Sequence, residues 1–219
     1  MSGTDALERA AAPPPGVIVW FTGLSGSGKT TLARNLAARL RLQGSPVVVL
    51  DGDDLRQRLS NDLGFSPEHR SENVLRTGEI ARLIAISGIP VIAALISPFQ
   101  KDREALRRQV APGRFVEVYL DVPLDVCEAR DPKGLYRRAR TGEEPCFTGI
   151  GSPYEPPLSP DLRLPTHLLD LDTCLDRLLG VLESPLPYLG IPMPRPPSRP
   201  PLPPCPPSVF YPGLPGALP

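Results

Sequence analysis

Eight residues constrain this chain more tightly than any other feature: Gly23-Leu24-Ser25-Gly26-Ser27-Gly28-Lys29-Thr30. They stand between an apolar run at residues 17–22, as expected of a strand buried on both faces, and a segment with Leu32, Ala33, Leu36, Ala37 and Leu40 at helical spacing. The octet fits G-x-x-x-x-G-K-[ST]. Its glycines let the backbone turn N–H groups onto phosphate oxygens, and the following helix adds the positive end of its dipole. The residues expected against ATP are Gly23, Ser25, Gly26, Ser27, Gly28, Lys29, Thr30 and Thr31. Lys29 would reach the β and γ phosphates, and the Thr30 hydroxyl would serve Mg²⁺. Of the 24 basic residues only Lys29, Lys101 and Lys133 are lysines. A slim point charge suits a tight loop where a guanidinium would not.

Downstream, apolar runs at 46–50, 91–96 and 115–121 read as further buried strands. Helical patterns cover 29–43 (closed by Gly44), 68–87 (closed by Gly88), 101–110, a stretch opening near Pro123, and 172–183. Residues 151–167 read as irregular. Alternating strands and helices predict a three-layer α/β fold, a mostly parallel sheet with helices on both faces and ligands beyond the carboxyl ends of its strands. The domain is expected at 16–184, after a flexible segment at 1–15. Fifteen of the 31 prolines fall in 185–219, a composition that predicts an extended, disordered tail.

The formal net charge of +0 gives no support for general nucleic-acid binding. No apolar run approaches the ~20 residues that span a bilayer. The N-terminus lacks the basic start and apolar stretch of a secretory signal. Cys127, Cys146, Cys174 and Cys205 show no metal-ligand spacing and read as reduced thiols of a cytoplasmic protein.

Asp51-Gly52-Asp53-Asp54 closes the second strand. Carboxylates there, Asp51 and Asp53 above all, can hold Mg²⁺ or accept a proton from an attacking hydroxyl. Asp is also favoured at helix starts, and Asp54 is the one expected to do only that. After it come Arg56, Asp62-Leu-Gly-Phe65-Ser66 and Arg70-Ser-Glu-Asn73. Then follow Leu95-Ile96-Ser97-Pro98-Phe99, Arg130-Asp-Pro-Lys133-Gly-Leu-Tyr136, Arg138-Ala-Arg140 and Phe147-Thr-Gly-Ile150 with Ser152-Pro-Tyr-Glu155. In this order the motifs resemble the adenylylsulfate kinase family, from about residue 17 to about 182.

The resemblance implies transfer of the γ-phosphate of ATP to the 3′-hydroxyl of adenosine 5′-phosphosulfate, in sulfate activation, by a homodimer. It implies a substrate site of Asp53, Arg56, Phe65, Arg70, Asn73, Ile96, Ser97, Lys133 and Phe147. Lys29, Asp53 and Ser97 would be catalytic, and Arg130, Thr166 and Cys174 would border the nucleotide. Residues 135–150, with Arg137, Arg138 and Arg140, would form a lid. The chemistry agrees: paired guanidiniums suit phosphosulfate oxygens, and two phenylalanines suit a purine. The family's serine at position 97 has been assigned as a phosphoserine intermediate, a step that direct in-line transfer does not require. Asp54, Leu75 and Glu144-Pro145-Cys146 depart from the family pattern; the last two bear on one ion pair and on lid flexibility. Two other readings share the first loop: a kinase for a sugar acid or nucleoside, and a nucleotide-binding sensor acting through the tail, where Arg199-Pro-Pro-Leu-Pro-Pro204 resembles a polyproline II ligand.

Overall fold

The computed structural model describes residues 14–183. Most of the segment expected at 1–15, and all of the tail expected at 185–219 with Cys205, lie outside the described residues.

Five parallel strands form one sheet: β1 (Ile18–Thr22), β2 (Val48–Asp51), β3 (Val91–Ala94), β4 (Phe115–Leu120) and β5 (Leu162–Leu164), in the order β2-β3-β1-β4-β5. Between and after them run α1 (Lys29–Leu42), α2 (Gly52–Arg58), α3 (Pro67–Ile86), α4 (Gln100–Gln109), α5 (Leu124–Arg130), α6 (Leu135–Arg140) and α7 (Leu171–Glu183). The unbroken apolarity of β1 follows from its central place, because its two faces serve different cores. Val19 and Phe21 join a cluster with Leu36, Leu40 and Leu178 of α1 and α7. Ile18 and Trp20 join Val74, Ala81 and Leu106 of α3 and α4. α3 and α4 approach closely at Gly78, where a Cβ would overlap Leu106.

Local signals set the helix ends. Ser66 accepts from His69 N at 3.3 Å and Pro67 occupies the first turn, so α3 starts where a hydroxyl cap and a proline agree. Gly44 (φ 82°) and Gly88 (φ 87°) end α1 and α3 in the left-handed region, which costs a glycine little.

Two expectations are corrected. The stretch 151–167 is not wholly irregular, since β5 lies within it and extends the sheet beside β4. Asp161 fixes the start of β5 by accepting from Glu117 N (2.7 Å) and Arg107 Nη2 (2.6 Å). The residue capping α2 is Asp51, whose Oδ1 accepts from Asp53 N at 3.0 Å, and not Asp54, which lies exposed in the first turn. The all-parallel order brings the carboxyl ends of β1 to β5 to one edge, so the octet, Asp51, residues 95–97 and Thr166 gather there.

Candidate active site

The octet forms a tight loop between β1 and α1. Gly26 (φ 75°) lies so close to Cys127 O that a Cβ would sit 3.0 Å from it, and Gly28 (φ 100°) caps α1 in the left-handed region. Lys29 Nζ donates to Gly23 O (2.9 Å), Leu24 O (2.7 Å) and Ser27 Oγ (3.4 Å). Burial lowers this ammonium from 10.5 to about 8, with Asp53 opposing and Lys133 adding to the fall. Three successive carbonyls of the loop are each tied to another element. Ser25 O accepts from Tyr136 Oη (3.0 Å), Gly26 O from Arg130 Nη1 (3.2 Å) and Ser27 O from Thr166 Oγ1 (2.7 Å). Arg130 and Thr166 thus stand at the expected loop, as supports of its backbone. Cys174 is placed apart from them, 1% exposed among the leucines of the α1 and α7 core.

Beside the loop, Asp53 is ion-paired with Lys133, both side chains being about half exposed. Asp51 and Asp53 both act on the charge of Lys29, so the end of β2 and the turn carrying Lys133 lie within electrostatic reach of the phosphate loop.

A second group forms around Phe65, whose side is 49% exposed. The Arg56 and Arg70 guanidiniums lie 4.5 Å and 5.5 Å from its ring centroid. Arg70 donates from Nε to Phe65 O (3.0 Å) and from Nη2 to Cys146 O (2.7 Å), which joins the two phenylalanine-bearing segments. Burial lowers both guanidiniums from their ordinary value, and Arg56 lowers Arg70 further by repulsion. Asn73, one turn along α3, is buried, and its Oδ1 has no partner among the described residues. Phe147 lies 8% exposed with its ring edge-on to Tyr136, centroids 4.9 Å apart at 82°.

Beyond β3 the chain turns through Ser97, at φ 41°. Its side chain is 2% exposed, and its Oγ accepts from Trp20 Nε1 at 3.1 Å. Thr22 Oγ1 donates to Ile96 O (2.8 Å). Arg103 Nη1 donates to Ser97 O (2.6 Å), Nη2 to Glu155 O (2.7 Å), and Nε to Glu117 Oε1 (2.7 Å), forming an ion pair 1% and 6% exposed. Sequence reasoning missed this support. Its signal was Glu117, a charge inside the otherwise apolar strand FVEVYL, which must find a buried partner. The departures from the family pattern are absorbed locally. With Leu75 in place of an arginine, Arg76 alone pairs with Asp62 and Glu72, both at 2.8 Å; Glu144 pairs with Arg138, and Cys146 gives its carbonyl to Arg70.

Comparison with known proteins identifies the family. Residues 15–165 match the model of a family described as adenylylsulphate kinase. An adenylyl-sulfate kinase of Bacillus velezensis is 51% identical over 169 residues, which are 77% of this chain and 86% of that protein. The structure of the Mycobacterium tuberculosis APS kinase CysC in complex with AMPPNP and APS is 48% identical, with a TM-score of 0.73 over 78% of this chain and 100% of that one. A hexameric APS kinase from Thiobacillus denitrificans is 36% identical, with a TM-score of 0.59 over 81% of this chain and 30% of that one.

Proposed function

The chain belongs to the adenylylsulphate kinase family, and we propose how its residues divide that family's reaction. The enzyme moves the terminal phosphate of ATP to the 3′-hydroxyl of adenosine 5′-phosphosulfate, giving 3′-phosphoadenosine 5′-phosphosulfate and ADP. The observation that carries the division is the Asp53–Lys133 ion pair after β2, whose carboxylate acts electrostatically on the phosphate-loop Lys29.

Loop N–H groups and Lys29 hold the ATP phosphates, while Thr31, Arg130 and Thr166 border the nucleotide. Phe65 and Phe147 take the adenine of the acceptor. Arg56 and Arg70, two guanidiniums that repel each other until an anion arrives, take the phosphosulfate with Asn73 and Lys133. The main chain at Ile96 and Ser97 forms the floor. Asp53 accepts the proton as the 3′-oxygen bonds to the γ-phosphorus and the bond from that phosphorus to the ADP oxygen breaks. Transfer is direct. The Ser97 hydroxyl supports that reading, because it is buried and engaged by the Trp20 indole. Thr30, Asp51 and Asp53 offer hard oxygen donors, the chemistry Mg²⁺ prefers, and would hold the ion together with phosphate oxygens. When bound it supplies neutralisation of phosphate charge.

ATP as donor suits a cytoplasmic enzyme, and among the described residues no helix is long and apolar enough to cross a membrane. A homodimer is the proposed working unit; the hexameric relative supports self-association, though in a different number.

The test is Arg70→Ala. A charge-assisted contact is worth roughly 1.5–3 kcal/mol, so KM for adenosine 5′-phosphosulfate is expected to rise about ten- to a hundredfold while KM for ATP stays nearly constant. An unchanged acceptor KM contradicts the assignment.

A further inference from the structure

Tyr136 stands in the motif Asp131-Pro-Lys133-Gly-Leu-Tyr136, yet neither the nucleotide nor the acceptor assignment above uses it. It is 1% exposed on α6, a helix otherwise rich in arginine. Its N–H donates to Asp131 Oδ1 at 3.1 Å, which fixes the start of the helix, and its hydroxyl donates to Ser25 O at 3.0 Å. The Cys127 sulfur also lies within hydrogen-bonding reach of the phenol, and burial raises the phenol's pKa, so the group stays a neutral donor. The ring meets Phe147 edge-on.

In a trans peptide the carbonyl and the next N–H point in opposite directions. A side chain that holds the Ser25 carbonyl away from the loop interior therefore aims the Gly26 N–H into it. Arg130 and Thr166 hold the two following carbonyls, and Tyr136 completes that row. We propose that Tyr136 is a positioning residue that sets the Gly26 N–H for phosphate through its hydroxyl and sets Phe147 for the acceptor's adenine through its ring. One side chain thus joins the two substrate sites. The second half rests on the acceptor assignment above; the first does not.

Two variants separate the halves. Tyr136→Phe removes the hydroxyl and keeps the ring; Tyr136→Leu removes both. Calorimetry with ADP alone reads the phosphate loop without any acceptor. For Tyr136→Phe the ADP Kd is expected to rise about three- to tenfold, the loss of one buried hydrogen bond, with KM for adenosine 5′-phosphosulfate unchanged. For Tyr136→Leu the acceptor KM is expected to rise as well. An unchanged ADP Kd in Tyr136→Phe, or equal rises in both constants, overturns the proposal whether or not Tyr136→Leu folds. A folded Tyr136→Leu enzyme with a normal acceptor KM overturns its ring half. If the acceptor assignment itself were wrong, the ADP result would still stand, so the two failures are distinguishable.

Discussion

Burial and function act on the same proton at Lys29. Between about 8, its value in the folded chain, and 10.5, the unfolded chain holds a proton that the folded one has lost. Stability from this group therefore rises with pH across that window, and below it the ammonium is charged in both states. Phosphate binding runs the other way, since it needs the charged form. kcat/KM for ATP, which reports the free enzyme, is expected to fall about tenfold per pH unit above pH ~8. Lys29→Ala should remove that limb and reduce turnover by on the order of a thousandfold. A wild-type profile that stays flat to pH ~10 contradicts the role. On the proposed reading Ser97 makes the opposite case, a buried hydroxyl that supports the turn after β3 and takes no part in transfer. Ser97→Ala loses the Trp20 contact, about 1 kcal/mol, and should lower activity only modestly. Rapid-quench labelling checks this: a phosphorylated Ser97 that forms and decays at the turnover rate contradicts direct transfer.

Elements were legible in proportion to how far their own residues determine them. β1 to β4 and the long helices announce themselves through apolar runs, helical spacing and the stops at Gly44 and Gly88. β5 does not. It is three residues, Leu162-Arg163-Leu164, paired on one side only and fixed by Asp161 reaching Glu117 and Arg107 on other elements. The site divides in the same way. The glycine-rich motif carries its chemistry in its spelling, so the phosphate loop could be read directly, whereas the Phe65 group was expected only from the family resemblance. Tyr136 and Arg103 could not, because a tyrosine or arginine on a basic helix looks the same whether it faces solvent or a buried carbonyl. Arg103 on α4 holds the turn after β3, Glu117 of β4 and the main chain at Glu155 together. Arg103→Met should cost about 3 kcal/mol in denaturant unfolding, since Glu117 stays charged and buried and keeps the longer contact to Arg107 at 3.5 Å. Replacing Glu117 by Gln in the same chain should recover part of that loss. A single variant as stable as the parent would show that the pair supports nothing.

At the scale of the whole molecule, one parallel sheet puts the proposed site residues on a single edge. Lys29 follows β1, Asp53 follows β2, Ser97 follows β3, and the turn with Lys133 follows β4 and α5. On the proposed reading the acceptor is chosen by what surrounds that edge: Phe65 with its two arginines, Asn73, and Phe147 tied back through Arg70 and Tyr136. Initial rates with ATP and four acceptors, adenosine 5′-phosphosulfate, AMP, adenosine and gluconate, test that claim most directly. The account predicts that adenosine 5′-phosphosulfate has the highest kcat/KM, because it alone offers both the purine for the phenylalanines and the full anion for the guanidiniums. A higher kcat/KM for any of the other three contradicts the acceptor site and leaves only the nucleotide loop standing.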